Sequence, residues 1–197
     1  MNPISIRTCA ASALVVGIGL AAAAPAAAIE YNQVQAEHST LSFTAKQMGV
    51  PVDGKFRKFS VQIAFDPAQP QATKAAMDVD LASIDAGSDE ANDEVVGKQW
   101  FNVKAYPTAS FVSTAVKSLG GNRYELAGKL SIKGRSHETT AAVSFTTQGK
   151  DAVFDGGFVI KRADFAIGEG SWSDFDTVAN EIPVHFHIVA ASAAAKK

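Results

Sequence analysis

The stretch TASFVSTAVKSLGGNRYELAGKLSIKGRSHETTAAVSF, Thr108–Phe145, decides the fold. In its middle Tyr124, Leu126, Gly128, Leu130 and Ile132 fall on one side of an alternating pattern, against Glu125, Lys129 and Ser131 on the other. Period two is the mark of a half-buried strand. Gly120-Gly121-Asn122 before it is a hairpin signal, and Gly134-Arg135 after it turns the chain again. Thr108–Leu119 and the Ala141, Val143, Phe145 run flank these turns as further strands. Short links between sequential strands predict an antiparallel meander.

The same rhythm extends both ways. Leu41, Phe43 and Ala45 alternate with Ser42, Thr44 and Lys46. Phe59, Val61, Ile63 and Phe65 form a second run, ended by Asp66-Pro67. Ala75, Met77, Val79 and Leu81 form a third, with Asp78 and Asp80 facing outward. Downstream come Phe154, Gly156, Phe158 and Ile160, then Ile182, Val184, Phe186 and Ile188. The chain therefore reads as all-β, with eight antiparallel strands. A barrel able to hold one small ligand fits, and so does a sandwich. One segment differs. Ser88–Phe101 has few β-branched residues and places Glu94 and Lys98 at i,i+4 spacing, which predicts a helix capped by Ser88. Tyr106-Pro107 closes that connection.

Composition narrows the function. The 197 residues are 47% hydrophobic and 19% charged, with a net charge of −2. No basic excess points to nucleic acid. A single cysteine, Cys9, excludes a disulfide scaffold. Residues 1–28 read as a cleaved export signal: Arg7 is the basic start, an apolar run follows, and Ala26-Ala27-Ala28 offers the small-residue cut site. That gives a folded domain over 29–191, a frayed tail over 192–197 and a periplasmic location.

Chemical motifs are sparse. There is no G-x-S-x-G elbow and no phosphate-binding glycine loop. Gly168-Glu169-Gly170 breaks the dinucleotide pattern at Ser173. No catalytic residue, metal site or cofactor is expected. His185 and His187 share one strand face, a spacing that can ligate metal, but sequence assigns no third ligand and a solvated outer face is the preferred reading. Asp89, Glu90, Asp93 and Glu94 suit a helix N-terminus. Trp100-Phe101 could cap a ligand cavity or plug the core. Lys55, Arg57 and Lys58 cluster around Phe56 and Phe59, as a solvated edge or an anionic-headgroup contact.

Several segments in order resemble the YceI-like family, the bacterial polyisoprenoid-binding, lipocalin-like proteins. They are His38-Ser39 with Leu41 and Phe43, Gly54-Lys55-Phe56 with Phe59, Ser83-Ile84-Asp85, Tyr106-Pro107 with Phe111, Gly128–Gly134, and Arg162–Ile167. Ala166 stands where glycine is common in that family, and Trp100-Phe101 where many members have an Asp-Phe-Phe-Asp-like stretch. The resemblance implies an eight-stranded antiparallel lipocalin-like barrel with one helix packed near the opening. It implies an isoprenoid ligand, a polyprenyl pyrophosphate or a quinone tail, and carries over no catalytic residue. On this reading Phe43, Ala45, Phe59, Phe111, Ala141 and Val143 line an apolar channel. Phe145, Gly156, Phe158, Ile160 and Phe186 continue it, and Trp100 and Phe101 lie by its opening. Lys46, Arg57 and Arg162 are the headgroup candidates. The alternative is a broad hydrophobic scavenger or a partner of membrane electron transfer, since relatives occur near b-type cytochromes. An enzyme acting on prenyl lipids ranks third, and monomer and homodimer both fit.

Overall fold

The predicted meander is present as three long strands, β7 (Thr108–Gly120), β8 (Arg123–Ile132) and β9 (Arg135–Gln148). The computed structural model describes residues 29–192. Before the meander come β1 (Tyr31–Val34), β2 (Thr40–Gln47), β3 (Val50–Phe56), β4 (Phe59–Ala64), β5 (Lys74–Asp80) and β6 (Ile84–Asp85). After it come β10 (Asp151–Lys161) and β11 (Glu181–Ser192). All belong to one antiparallel sheet, in the order β4-β5-β7-β8-β9-β10-β11-β2-β3-β6, with β1 added to β11.

The sheet curls because its last long strand returns to its first. β11 pairs with β2, placing Phe186 opposite Leu41 and Val184 opposite Phe43. β1 pairs with the far end of β11 and also reaches β4: Tyr31 and Phe65 exchange backbone hydrogen bonds at 2.9 and 3.2 Å. The fold is thus the expected lipocalin-like one, with eleven strands instead of eight. All eight predicted strands are found. The additions are β1, β3 and the two-residue β6. β3 escapes the period-two test because Pro51, Asp53 and Gly54 interrupt it. It forms because Met48 and Gly49, at φ 50° and 81°, make a tight hairpin turn back from β2.

Three sequence expectations are corrected. The helix α1 spans Asp89–Val95 only, and the chain beyond it runs as turns through Phe101. Its N-cap is as predicted, Ser88 Oγ accepting from the Ala91 N–H at 3.2 Å. Weak helix formers Val95, Val96 and Gly97 in sequence account for the early stop. Leu81 does not extend β5. It opens a 3-10 turn over Leu81–Ser83, for which Asp80 is the cap, accepting from the Ala82 N–H at 3.0 Å. Ser192 is not frayed, since β1 pairs with it as the last residue of β11. The 1–28 signal segment and residues 193–197 lie outside the described residues.

Two buried clusters fill the curl. One gathers Leu41, Leu81, Leu130, Ile132, Phe165 and Val184. The other gathers Tyr31, Phe65, Tyr124, Phe145, Phe154 and Ile188. Phe59, Met77 and Phe186 pack against both.

Candidate ligand-binding cavity

Between those clusters lies an apolar cavity of about 160 Å³. Its wall comes from residues of β2, β3, β4, β5, β7, β8, β9, β10 and β11. Phe111, Ala141, Val143, Phe158, Ile160 and Phe186 line it as the alternation predicted, and Phe101 enters from the turn after α1. No charged side chain lines it, and Thr73, Ser110 and Tyr124 are the polar contributors among the described residues.

The other apolar candidates take different places. Phe43 packs against Phe56, ring centroids 5.7 Å apart, and lies across the bare face of Gly54. Ala45 sits half-buried on β2, paired with Val52. Phe145 belongs to the cluster around Phe65, 4.9 Å away between centroids. Phe59 bridges the two clusters. Gly156 contributes space: the Phe186 ring occupies the position where a Cβ would stand.

Alternation had already put Val61, Met77, Val79, Leu126 and Ile188 on inward faces, so their place in the wall was legible. Phe56 was not, because β3 was not recognised. Val116 was not either. A bulge between Ser113 and Ala115 shifts the register of β7, so Phe111 and Val116 both face inward despite an odd spacing.

Trp100 and Phe101 divide the two roles proposed for them. Phe101 reaches the cavity and meets Phe56 edge-on at 6.3 Å. Trp100 turns away toward the Gly168–Val178 loop, 5.5 Å from Trp172, with the Arg162 guanidinium over its ring at 5.9 Å. Its buried indole N–H has no hydrogen-bond partner.

Arg162 is corrected as a headgroup ligand. Its side chain is 1% exposed. Its N–H groups point at the carbonyls of Ile167, Gly168, Trp172, Asp174, Val178 and Ala179, at 2.8–3.2 Å. Phe175 covers the other side of the guanidinium at 5.1 Å. Burial lowers its pKa, opposed by the nearby Asp174 carboxylate. Five fixed donors in a planar fork suit a ring of carbonyls, and Arg162 organises this loop. Arg57 is exposed and paired with Asp85 at 2.8 Å. Lys46 is exposed on β2, outside the cavity wall. The headgroup trio is therefore dispersed. A fourth cation, Lys133, is nearly buried and holds Glu169 at 2.9 Å while donating to the Ala166 carbonyl. That bond and the Lys133 charge keep the Glu169 carboxyl below its ordinary pKa.

His185 and His187 face outward, as the alternation indicated, and Asp78 is exposed as expected. The acidic start of α1 is solvent-facing, and Glu94 also accepts from the Trp172 indole N–H at 2.7 Å.

A curled antiparallel sheet wrapped round an uncharged apolar cavity, with one short helix beside it, is the architecture of lipocalin-like barrels. Within that class the YceI-like domain matches residues 32–190, and the chain belongs to this family. It is 33% identical over 164 residues to a UPF0312 protein of Azotobacter vinelandii, covering 79% of this chain and 85% of the relative. BcnA of Burkholderia cenocepacia superposes with a TM-score of 0.79 at 45% identity, covering 81% of this chain and 100% of that one. A polyisoprenoid binding domain from Saccharophagus degradans shares the fold at 17% identity, TM-score 0.62, covering 84% and 99% of the two chains.

Proposed function

We propose that the protein is a periplasmic binder of an isoprenoid lipid, holding the apolar chain in the cavity and acting in transport, storage or sequestration. The observation that carries this reading is the cavity wall, contributed by nine strands and free of charge among the described residues. Membership of the YceI-like family and the likeness to a domain named for polyisoprenoid binding support it. The 1–28 leader pattern supports the location.

The placement of the cations favours a neutral ligand, a quinone or prenol, over a pyrophosphate. Arg162 is engaged by carbonyls, Arg57 by Asp85, and Lys133 by Glu169. Among the described residues no charged side chain lines the wall, so a pyrophosphate drawn into it would have its charge buried unpaired, which is strongly unfavourable. The tail supplies affinity instead. Burial of a 40-carbon chain is worth about 30 kcal/mol gross, more than the roughly 18–21 kcal/mol at which affinities saturate, so ordering of the chain offsets much of it.

The size of the cavity bears on how the ligand enters. About 160 Å³ is close to the roughly 150 Å³ that admits benzene and below the roughly 300 Å³ at which drug-sized pockets begin. A long chain requires the half-buried rings of Phe111, Phe158 and Phe186 to swing aside. The same size favours a second reading, a scavenger of small hydrophobic molecules. Native mass spectrometry of protein from the host periplasm, with organic extraction, separates the two. A stoichiometric isoprenoid adduct supports the carrier. A mixture of small apolar compounds supports the scavenger. Protein that takes up neither, even from added prenol, overturns both.

A further inference from the structure

We propose that the outer face of β11 carries a second site, a two-imidazole chelate for a divalent transition metal, built by His185 and His187. It is independent of the cavity on the other side of the sheet.

The strand geometry puts both imidazoles on one face. Val184, Phe186 and Ile188 point inward, so His185 and His187 point out together. Register across the neighbouring strands supplies what the sequence alone lacked. His187 is paired with Asp155 on β10 and Thr40 on β2, and His185 with Gly157 and Ser42. Thr40, Ser42, Asp155, His185 and His187 line a shallow depression of about 430 Å³.

Asp155 makes His187 a poised ligand. Its carboxylate lies 2.6 Å from His187 Nδ1. A neutral imidazole donates from that nitrogen, which leaves the Nε2 lone pair bare. A carboxylate behind the distal nitrogen is the recurring support of metal-bound histidines: it fixes the tautomer and raises the basicity of the ligating atom. His185 lies over Gly157, which carries no side chain to crowd it. No set of three or more ligating side chains occurs among the described residues. The imidazoles therefore provide two positions and water the rest, an exchangeable surface chelate. Imidazole suits Cu(II), Ni(II) and Zn(II), and the Irving–Williams order puts Cu(II) first.

The test uses tag-free, full-chain protein after removal of its leader. Cu(II) chloride is titrated in a weakly competing buffer and followed by calorimetry and electron paramagnetic resonance. The expected result is one ion per chain with a two-nitrogen signature. His185→Ala and His187→Ala should each weaken binding at least tenfold. Asp155→Asn should keep the stoichiometry and weaken it about tenfold, as loss of a supporting carboxylate does. His137→Ala, whose ring contacts the Asp164 carbonyl on another part of the sheet, should leave it unchanged. Circular dichroism checks that each variant is folded. No saturable uptake, or uptake indifferent to both His185→Ala and His187→Ala, overturns the site, whatever the lipid experiment shows.

Discussion

The ring of Phe186 on β11 lies over the bare backbone of Gly156 directly across the ladder on β10. Glycine there lets a large ring fold flat against the sheet and leaves room in the cavity beyond. Gly128 does the same for Phe111. A methyl at Gly156 would also crowd the Ala142 carbonyl at 2.7 Å, so the backbone as well as the ring must shift. Gly156→Ala should destabilise the fold by about 1–3 kcal/mol through overpacking and reduce lipid uptake as Phe186 is pushed inward. Uptake and melting temperature both at wild-type values would show that the ring does not need this bed.

Arg162 predicts a loss confined at first to one loop. Arg162→Ala strips the donor from the ring of carbonyls it holds, and a buried acceptor left without its donor costs about 1–3 kcal/mol. Arg162→Lys should recover little, because an ammonium cannot span the ring as a planar fork does. Hydrogen exchange should rise first across the Gly168–Val178 loop. Lys46→Ala and Arg57→Ala, by contrast, should change affinity for a prenyl pyrophosphate and a neutral prenol equally. A selective loss for the pyrophosphate would restore the headgroup role.

Ala166 adopts a left-handed backbone, φ 54° and ψ 38°, at the end of the Arg162–Phe165 turn. A side chain there is strained by roughly 1–2 kcal/mol relative to glycine, and the extra freedom of glycine in the unfolded chain returns part of that. Ala166→Gly should raise stability by up to about 1 kcal/mol, read as a higher denaturant midpoint with unchanged slope. A lower midpoint would mean that packing of the buried methyl outweighs the strain.

The Arg57–Asp85 pair should respond to acid. Hydrogen bonding to Arg57 is the first cause holding the Asp85 carboxyl below its ordinary 3.8, with the Gly87 N–H second. A lowered folded-state pKa means the contact favours the fold above the ordinary value and is lost as pH falls through the lowered one. In Arg57→Ala the Asp85 titration, followed by carboxyl carbon shifts, should move up toward the ordinary value. No movement would assign the shift to the Gly87 N–H and the Lys55 charge instead.

Filling the cavity separates binding from folding. Ala75 is a half-buried wall residue on β5. Ala75→Leu adds apolar volume where space exists, so melting temperature should hold or rise while uptake of prenol falls several-fold. Unchanged uptake would place the ligand elsewhere.

Much of this fold could be read from alternation alone, because each long strand has one wet face and one dry face. The eight predicted strands, the Ser88 cap and the Gly120–Asn122 turn all follow from neighbours within a few residues. The unread parts depend on distant partners. β3 is held by pairing with β2 and β6 in spite of Pro51 and Gly54. The fate of Arg162 was set by carbonyls as far along the chain as Ala179. Its charge suggested a ligand, and only the closed loop reveals what the charge serves. Asp155 and His187 likewise meet through strand register across a separation of 32 residues.

The pairing of β1 with the end of β11 gives the molecule a seam. Tyr31 lies opposite Ser192 while also bonding to Phe65. These contacts join the most distant segments of the described chain, so closing them carries the largest loop-closure entropy. Until the seam closes, the C-terminal end of β11 lacks its β1 partner and the aromatic cluster around Phe65 stands open. The interval between collapse and seam closure is therefore when the protein is most exposed to aggregation, and also when a bulky apolar guest could enter without prising the sheet apart.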